Sequence, residues 1–472
     1  MAENKISFGT AGWRGIISRD FTFANLQIVA QAIADYLLDN YDNPSVISGY
    51  DTRFMAENFA VAASEVFAAN NIKVYYSADD IPTPAISHII CEDNLSGGIN
   101  ITASHNPPEY SGIKFSPSSG GPALPETTGI IEENCRKIQA APELVKSMVF
   151  KKAVEEGIVE VVDFSERYIN SLSKIIDTKL IEKNLRIAYD PMYGTGRSYL
   201  RRILKGTEIK HIHESRDVLF GGNRPEPADE MLTELKELLS SGEFDIGLAT
   251  DGDGDRFGIV DSGGQFINPN QVLGLGLYHL YNKGYSGPGV RSVMTSSFMD
   301  AVALLYSEEV IETPVGFKYI GDVFEKEEIA LGGEESGGLT IGGHLPEKDG
   351  ILACLLMAEL RAREGKPLSD ILEELYEKTG TFITVRKNYS LTSEKTDMLK
   401  EELKKKLPGE IGSYKVKKII DIDGYKFILE EKNSWLGVRF SGTEPVVRIY
   451  AESSSREKAD NIIKAAEKLF IK

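Results

Sequence analysis

Leu26, Val29, Ile33 and Leu37 recur three or four positions apart, which predicts an amphipathic helix over Phe23 to Asn40. The apolar run from Pro44 to Tyr50 reads as a buried strand, the Ala-rich stretch from Ala56 to Asn70 as a helix, and Ile72 to Tyr76 as the next strand. A helix opening at Pro82-Thr-Pro84 then leads into a strand ending near Ile101. A second cycle follows. It has a helix at 164–176, a strand at 185–189, a helix to about 204, a helix at 230–239 and a strand at 245–249. A third has helices at 270–281, 298–306 and 349–364, with strands at 290–295, 311–314 and 328–331. In each cycle one strand ends in a polar loop (SGYDTR, AYDPMYGTG, MTSSF) and a later one in a chemically loaded loop (ITASHNP, LATDGDGDR, LGGEESGG). The cycles read as variants of one α/β unit. After Thr379 the pattern changes to a helix near 393–406, short strands around Trp435 to Phe440, and a final helix at 456–470. That is a small α+β tail.

Composition narrows the class. The 472 residues suit three or four domains, and 42% hydrophobic residues are enough to build cores. The division expected is 1–150, 151–260, 261–378 and 379–472. No run of about 18 apolar residues occurs, so no membrane span is expected. The start, MAENKISFGT, has no apolar signal core, and three scattered cysteines make no disulfide framework. A reducing cytoplasm is expected. The net charge of -18, from 53 basic and 71 acidic residues, disfavours a nucleic-acid partner.

The loops hold the candidate chemistry. In ITASHNPPEYSGIKF a hydroxyl (Ser104) stands beside an imidazole (His105), before Pro107 and Pro108, with Lys114 beyond Gly112. Such a set suits a covalent nucleophile or phosphoryl carrier, although an ordinary turn uses the same residues. Asp251-Gly-Asp-Gly-Asp-Arg256 places three carboxylates two residues apart, an oxygen-only set for a hard cation, Mg²⁺ before Ca²⁺. An EF-hand is excluded, because Arg256 and Ser262 stand where Gly and Glu are required. Glu334 and Ser336, flanked by glycines, can grip vicinal sugar hydroxyls. Arg439-Phe-Ser-Gly-Thr-Glu-Pro445 offers an arginine fork, two hydroxyls and loop amides to a phosphate, with Arg448 helping or bracing the sheet. No nucleotide P-loop and no dinucleotide fingerprint is present. His88, His211, His213 and His279 read as surface or packing residues.

Four motifs in order, TASHNP, DGDGDR, GEESGG and RFSGTEP, resemble those of the α-D-phosphohexomutase family over essentially the whole chain. The resemblance implies three related α/β domains with mixed sheets plus a C-terminal TATA-binding-protein-like α+β domain around a central cleft. It implies that Ser104 carries the phosphoryl group and, with Asp251, Asp253 and Asp255, holds one Mg²⁺. Arg14, His105, Lys114 and Arg256 would surround the transferring group, with His105 or Lys114 handling the proton. Glu334, Ser336 and Lys318 would meet the sugar. Arg439, Ser441, Gly442, Thr443 and Arg448 would hold the phosphate that is not reacting. The implied substrates are hexose monophosphates, with glucose 1,6-bisphosphate as primer, and the implied protein is a monomer or homodimer. The GEESGG loop and Gly316-Phe-Lys318 resemble glucose-type members, so phosphoglucomutase activity is expected. Phosphomannomutase or dual activity is the alternative, with phosphoglucosamine mutase and phosphopentomutase behind it. A sugar phosphatase using Asp251, or a non-catalytic sugar-phosphate-binding protein, would be a different class.

Overall fold

The structure is a computed structural model, and it describes residues 6–9, 12–440 and 446–471. The chain forms two compact units. The first comprises the chain up to Pro269, Phe317–Glu328 and Ser336–Leu368. The second comprises Asn270–Gly316, Ile329–Glu335 and the chain from Ser369 onward.

The first unit contains two mixed sheets built on one plan. The first sheet has the order Trp13–Ile16, Tyr110–Pro117, Gly97–Ile101, Ser45–Tyr50, Lys73–Ser77, Val159–Val162. Its last four strands are parallel, and Tyr110–Pro117 returns antiparallel on Gly97–Ile101 with Asn100 opposite Lys114. The second has the order Phe266–Ile267, Phe257–Asp261, Ile246–Thr250, Ile187–Asp190, Ile209–His211. Here Phe257–Asp261 returns antiparallel on Ile246–Thr250, with Phe257 opposite Thr250. In both sheets a fully buried parallel strand therefore reverses into an antiparallel partner, and the reversal carries the chemical motif. Strands buried on both faces read as continuous apolar runs, which is why GGINI and IGLAT stand out in the sequence.

The helix Phe23–Asn40 lies where the periodicity puts it. Leu26, Val29, Ile33 and Leu37 are buried, and Thr22 caps its N-terminus. The return strand Tyr110–Pro117 is not evident from hydropathy, because Ser111, Lys114 and Ser116 are all buried in it as polar residues. The helices Pro125–Ala140 and Leu368–Thr379 are additional to those expected from the hydrophobic pattern.

In the second unit Gly289–Ser292 lies parallel to both Val310–Thr313 and Leu331–Glu334. The strand expected at 328–331 is displaced to Leu331–Glu334, so Gly332, Gly333 and Glu334 belong to a strand rather than to the loop after it. The two glycines pair with Val290 and Arg291, and this ladder fixes the register. The C-terminal part is a fully antiparallel sheet in the order Ile383–Ser390, Val446–Ser453, Trp435–Phe440, Tyr425–Leu429, Tyr414–Ile420, Glu410–Ile411. Helices Ser393–Lys405 and Arg456–Phe470 accompany it, and Leu399, Leu403, Ile462, Ile463 and Phe470 enter its core. Three α/β segments plus an α+β tail is the architecture expected from the sequence.

Candidate active site

The two reversals of the first unit meet. A Cβ on Gly252 would lie 2.8 Å from the Ser104 carbonyl oxygen, so only glycine lets the two loops approach this closely. Ser104 is buried and adopts a left-handed backbone conformation with φ 53°. For a residue other than glycine that costs on the order of 1 kcal/mol, which the surroundings must supply. Its Oγ donates to Asp251 Oδ2 at 2.8 Å and stands 3.2 Å from His105 Nδ1.

Asp251, Asp253 and Asp255 are all buried, with carboxylate oxygens within 4.8 Å of one another. Asp251 Oδ1 accepts the N–H groups of Asp255 and Arg256, which curls the loop. Thr83 Oγ1 and Lys114 Nζ both donate to Asp253 Oδ2 at 2.6 Å. Lys114 also donates to Asp255 Oδ2 at 2.6 Å, and Lys348 Nζ is 3.2 Å from the same oxygen. The other oxygens, Asp253 Oδ1 and Asp255 Oδ1, are buried without a hydrogen-bond partner among the described residues. Burial, then repulsion from Asp255 and Asp253, holds the Asp251 carboxyl well above the usual range. For Asp255 burial acts in the same sense, but Lys114, Lys348 and Arg256 outweigh it and the pKa falls. Clustered oxygens, two of them unsatisfied, beside a carboxyl that resists ionisation are what a divalent cation would relieve. The three aspartates therefore fit a metal-ion site.

The cations around the triad are themselves tied down. Burial opposes the Lys114 charge, yet Asp253 and Asp255 prevail and raise its pKa. Burial lowers that of Arg14, whose Nη1 donates to Asn106 Oδ1 at 2.8 Å. Burial, then Arg256 and Arg14, pushes the His105 imidazole well below its usual value, so it is neutral near pH 7. Arg256 keeps its Nε buried and, among the described residues, unpartnered, with Nη1 3.9 Å from Glu226. Among the candidate residues of this region, the structure brings Ser104, His105, Lys114, Arg14, Arg256 and the aspartates together. Ser336 lies in the same unit, just before Gly337. Lys318 opens the helix Phe317–Lys326 and lines a different cavity, of about 240 Å³, with Tyr36, Tyr41 and Pro122.

In the second unit Glu334 is buried and accepts the Gly316 N–H at 2.7 Å. Arg439 and Arg448 sit directly opposite each other on adjacent antiparallel strands. Arg439 Nε donates to Asp423 at 2.9 Å, whereas Arg448 Nε is buried without a partner among the described residues. Like charges opposed across a ladder destabilise it unless an anion lies between them. Ser441, Gly442 and Thr443 lie outside the described residues.

Sequence models of the phosphoglucomutase/phosphomannomutase family match residues 5–142 (alpha/beta/alpha domain I), 166–264 (domain II), 268–379 (domain III) and 391–469 (C-terminal domain). The phosphoglucomutase of Komagataeibacter xylinus is 31% identical over 96% of this chain and 88% of its own length. The chain belongs to the phosphoglucomutase/phosphomannomutase family. It is accordingly a mutase, an intramolecular phosphotransferase of the isomerase type. The phosphoglucosamine/phosphogalactosamine mutase of Sulfurisphaera tokodaii is 29% identical, covering 98% of each chain. A solved structure of parafusin (phosphoglucomutase) from Paramecium, in an open form, superposes with TM-score 0.84 at 25% identity, covering 100% of this chain and 95% of that one.

In this family member several residues at the triad belong to none of the four motifs. Lys348 sits in HLPEKDG, where Glu347, Lys348 and Asp349 are all buried. Its Nζ is 2.7 Å from Glu347 and lies over the Phe317 ring. Three consecutive charges ahead of an apolar helix were the available signal, and Asp349 is indeed that helix's N-cap. Thr83 carried no signal beyond its place between two prolines. No helix among the described residues is long and apolar enough to cross a membrane.

Proposed function

We propose that the chain is a phosphoglucomutase, interconverting glucose 1-phosphate and glucose 6-phosphate through a phosphoserine at Ser104 and a glucose 1,6-bisphosphate intermediate. The observation that carries this reading is the Ser104 Oγ–Asp251 contact, a hydroxyl held in a strained conformation on a buried carboxylate triad. Asp251, Asp253 and Asp255 would hold Mg²⁺, which when bound offsets phosphoryl charge. In the first half-reaction the bond from phosphorus to Ser104 Oγ breaks as one forms to the sugar hydroxyl oxygen. The proton that leaves the sugar hydroxyl is the one that Ser104 Oγ regains. Neutral His105, whose Nδ1 is 3.2 Å from that oxygen, would relay this proton, taking it up before giving it to Ser104 Oγ, and end unchanged. Lys114 is committed to two carboxylates and serves as fixed positive charge. The second half-reaction reverses these steps with the other phosphate, after the bisphosphate has turned over.

Arg439 and Arg448, with Ser441, Gly442 and Thr443, would hold the phosphate that is not reacting. Glu334 and Ser336 would meet the sugar hydroxyls. The relatives divide between glucose and hexosamine names, and the family name adds mannose. A mannose or dual activity is therefore the second reading. Three free cysteines are consistent with a reducing compartment.

The deciding experiment compares kcat/KM for glucose, mannose, glucosamine and ribose 1-phosphates, each primed with its bisphosphate. Preference for glucose by at least about tenfold is expected. Equal rates with mannose would replace this reading with the dual one, and hexosamine preference would overturn both.

A further inference from the structure

The loop Asp51-Thr-Arg53 follows the strand Ser45–Tyr50, whose parallel neighbour Gly97–Ile101 leads to Ser104. Tyr50 is in register with Ile101, so Asp51 emerges next to Thr102. Asp51, Thr52, Arg53 and Thr102 are wholly buried. An arginine with no exposure must place its N–H donors inside the protein. Arg53 does so completely. Nε donates to Asp51 Oδ2 at 3.1 Å, Nη1 to the carbonyls of Pro107 and Tyr110 at 2.9 and 3.0 Å, and Nη2 to those of Ser104 and Asn106 at 2.6 and 2.7 Å. Its guanidinium also faces the Phe220 ring, 4.9 Å from the centroid.

Asp51 completes a second arm. Its Oδ1 accepts the Arg53 N–H, and its Oδ2 accepts Thr102 Oγ1 at 2.6 Å. Thr102 Oγ1 in turn accepts the Ser104 N–H at 2.8 Å. The Ser104 residue is thus held at both ends, its N–H by Thr102 and its C=O by Arg53. These two bonds fix the left-handed backbone that points Oγ at Asp251. No other side chain could replace Arg53, because a lysine ammonium has three donors on one atom and cannot span four carbonyls.

We infer that Asp51, Arg53 and Thr102 are positioning residues that set the Ser104 loop for phosphoryl transfer, without touching substrate or metal. The inference deepens the reading of Ser104 as nucleophile and rests on it. The mechanism is orientation, since misplacement of a reacting atom by about 1 Å can cost about 10²-fold in rate.

The test uses Thr102→Val, which keeps the shape and removes both hydrogen bonds, and Thr102→Ser, which keeps both. Arg53→Lys is the second probe. Each full-length protein is incubated with glucose 1,6-bisphosphate, and phosphorylation of Ser104 is followed by intact mass and peptide mapping. KM, Mn²⁺ affinity and melting temperature are measured alongside. Thr102→Val and Arg53→Lys should slow Ser104 phosphorylation and kcat by about 10²-fold, with KM and Mn²⁺ affinity within about threefold of the parent. Thr102→Ser should recover most of the rate. Wild-type rates in Thr102→Val, equal loss in Thr102→Ser, or a loss that merely follows the unfolded fraction would each overturn the inference. An unlabelled Ser104 in the turning-over parent protein would overturn the nucleophile reading and the inference with it. A labelled parent with unimpaired variants overturns the inference alone.

Discussion

The Ser104–aspartate region and the arginine pair of the C-terminal sheet treat charge in opposite ways. Around Ser104 the donors of Arg53 and Lys114 are engaged and Ser104, Lys114 and the three aspartates are buried, leaving chiefly the carboxylate oxygens Asp253 Oδ1 and Asp255 Oδ1 unmet among the described residues. On the C-terminal sheet Arg439 and Arg448 are register partners on adjacent strands; Arg439 is bonded to Asp423, and Arg448 Nε has no acceptor among the described residues. The first region is short of a cation and the second of an anion. Under the proposed function the first would hold a fixed metal and the nucleophile, and the second a phosphate that arrives and leaves. Preorganisation favours the step that makes and breaks bonds, whereas an unsatisfied guanidinium favours binding.

The largest expected effect breaks the first side of the comparison. Ser104→Ala should lower kcat by about 10⁴-fold or more, measured with the bisphosphate primer present, while mutase substrate still binds. Asp253→Asn should come next. It removes one charge from the triad and should cost about 10²- to 10³-fold in kcat, with weakened Mn²⁺ binding by titration calorimetry. Arg448→Gln probes the other side and should raise KM by roughly 10- to 100-fold with a smaller change in kcat. If it lowered kcat without moving KM, the two regions would not divide the work as described.

The smallest effect lies at the margin of the metal loop. The segment Asp190–Gly196 supports it through Thr195 N–H to Gly252 O at 3.0 Å, and Tyr193 N–H in turn bonds His213 O. The hydrogen bond to Asp190 raises the His213 pKa above the usual 6.5, with Glu234 adding to it. A raised folded-state value means that the stabilisation is fully present below pH 6.5 and lost as pH rises through the folded value. The melting-temperature advantage of the parent over His213→Gln should therefore shrink from about pH 6 to about pH 8.5.

Fold class was legible because buried parallel strands and amphipathic helices write period and length into the sequence. The strand Tyr110–Pro117 was not, since its burial is polar and depends on partners far away, Lys114 on Asp253 among them. The aspartates stand out by their spacing as a cation-binding set, because local glycines and carboxylates define that loop, whereas the Ser104 loop reads equally as an ordinary turn and takes its expected role from the family resemblance. Asp51, Arg53, Thr83 and Lys348 do not stand out, because each acts through a contact between distant segments: Arg53 reaches Ser104 across 51 positions and Thr83 reaches Asp253 across 170. The placement of Lys318 beside Tyr36 and Tyr41 likewise follows from the docking of the Phe317–Lys326 helix, which hydropathy did not reveal.

The most direct measurement is the site of covalent phosphate after the parent protein meets glucose 1,6-bisphosphate with Mg²⁺. A single phosphoryl group on Ser104, absent when the ion is chelated, is the predicted result. A phosphoryl group on Asp251, or steady turnover with Ser104 never labelled, would contradict the account.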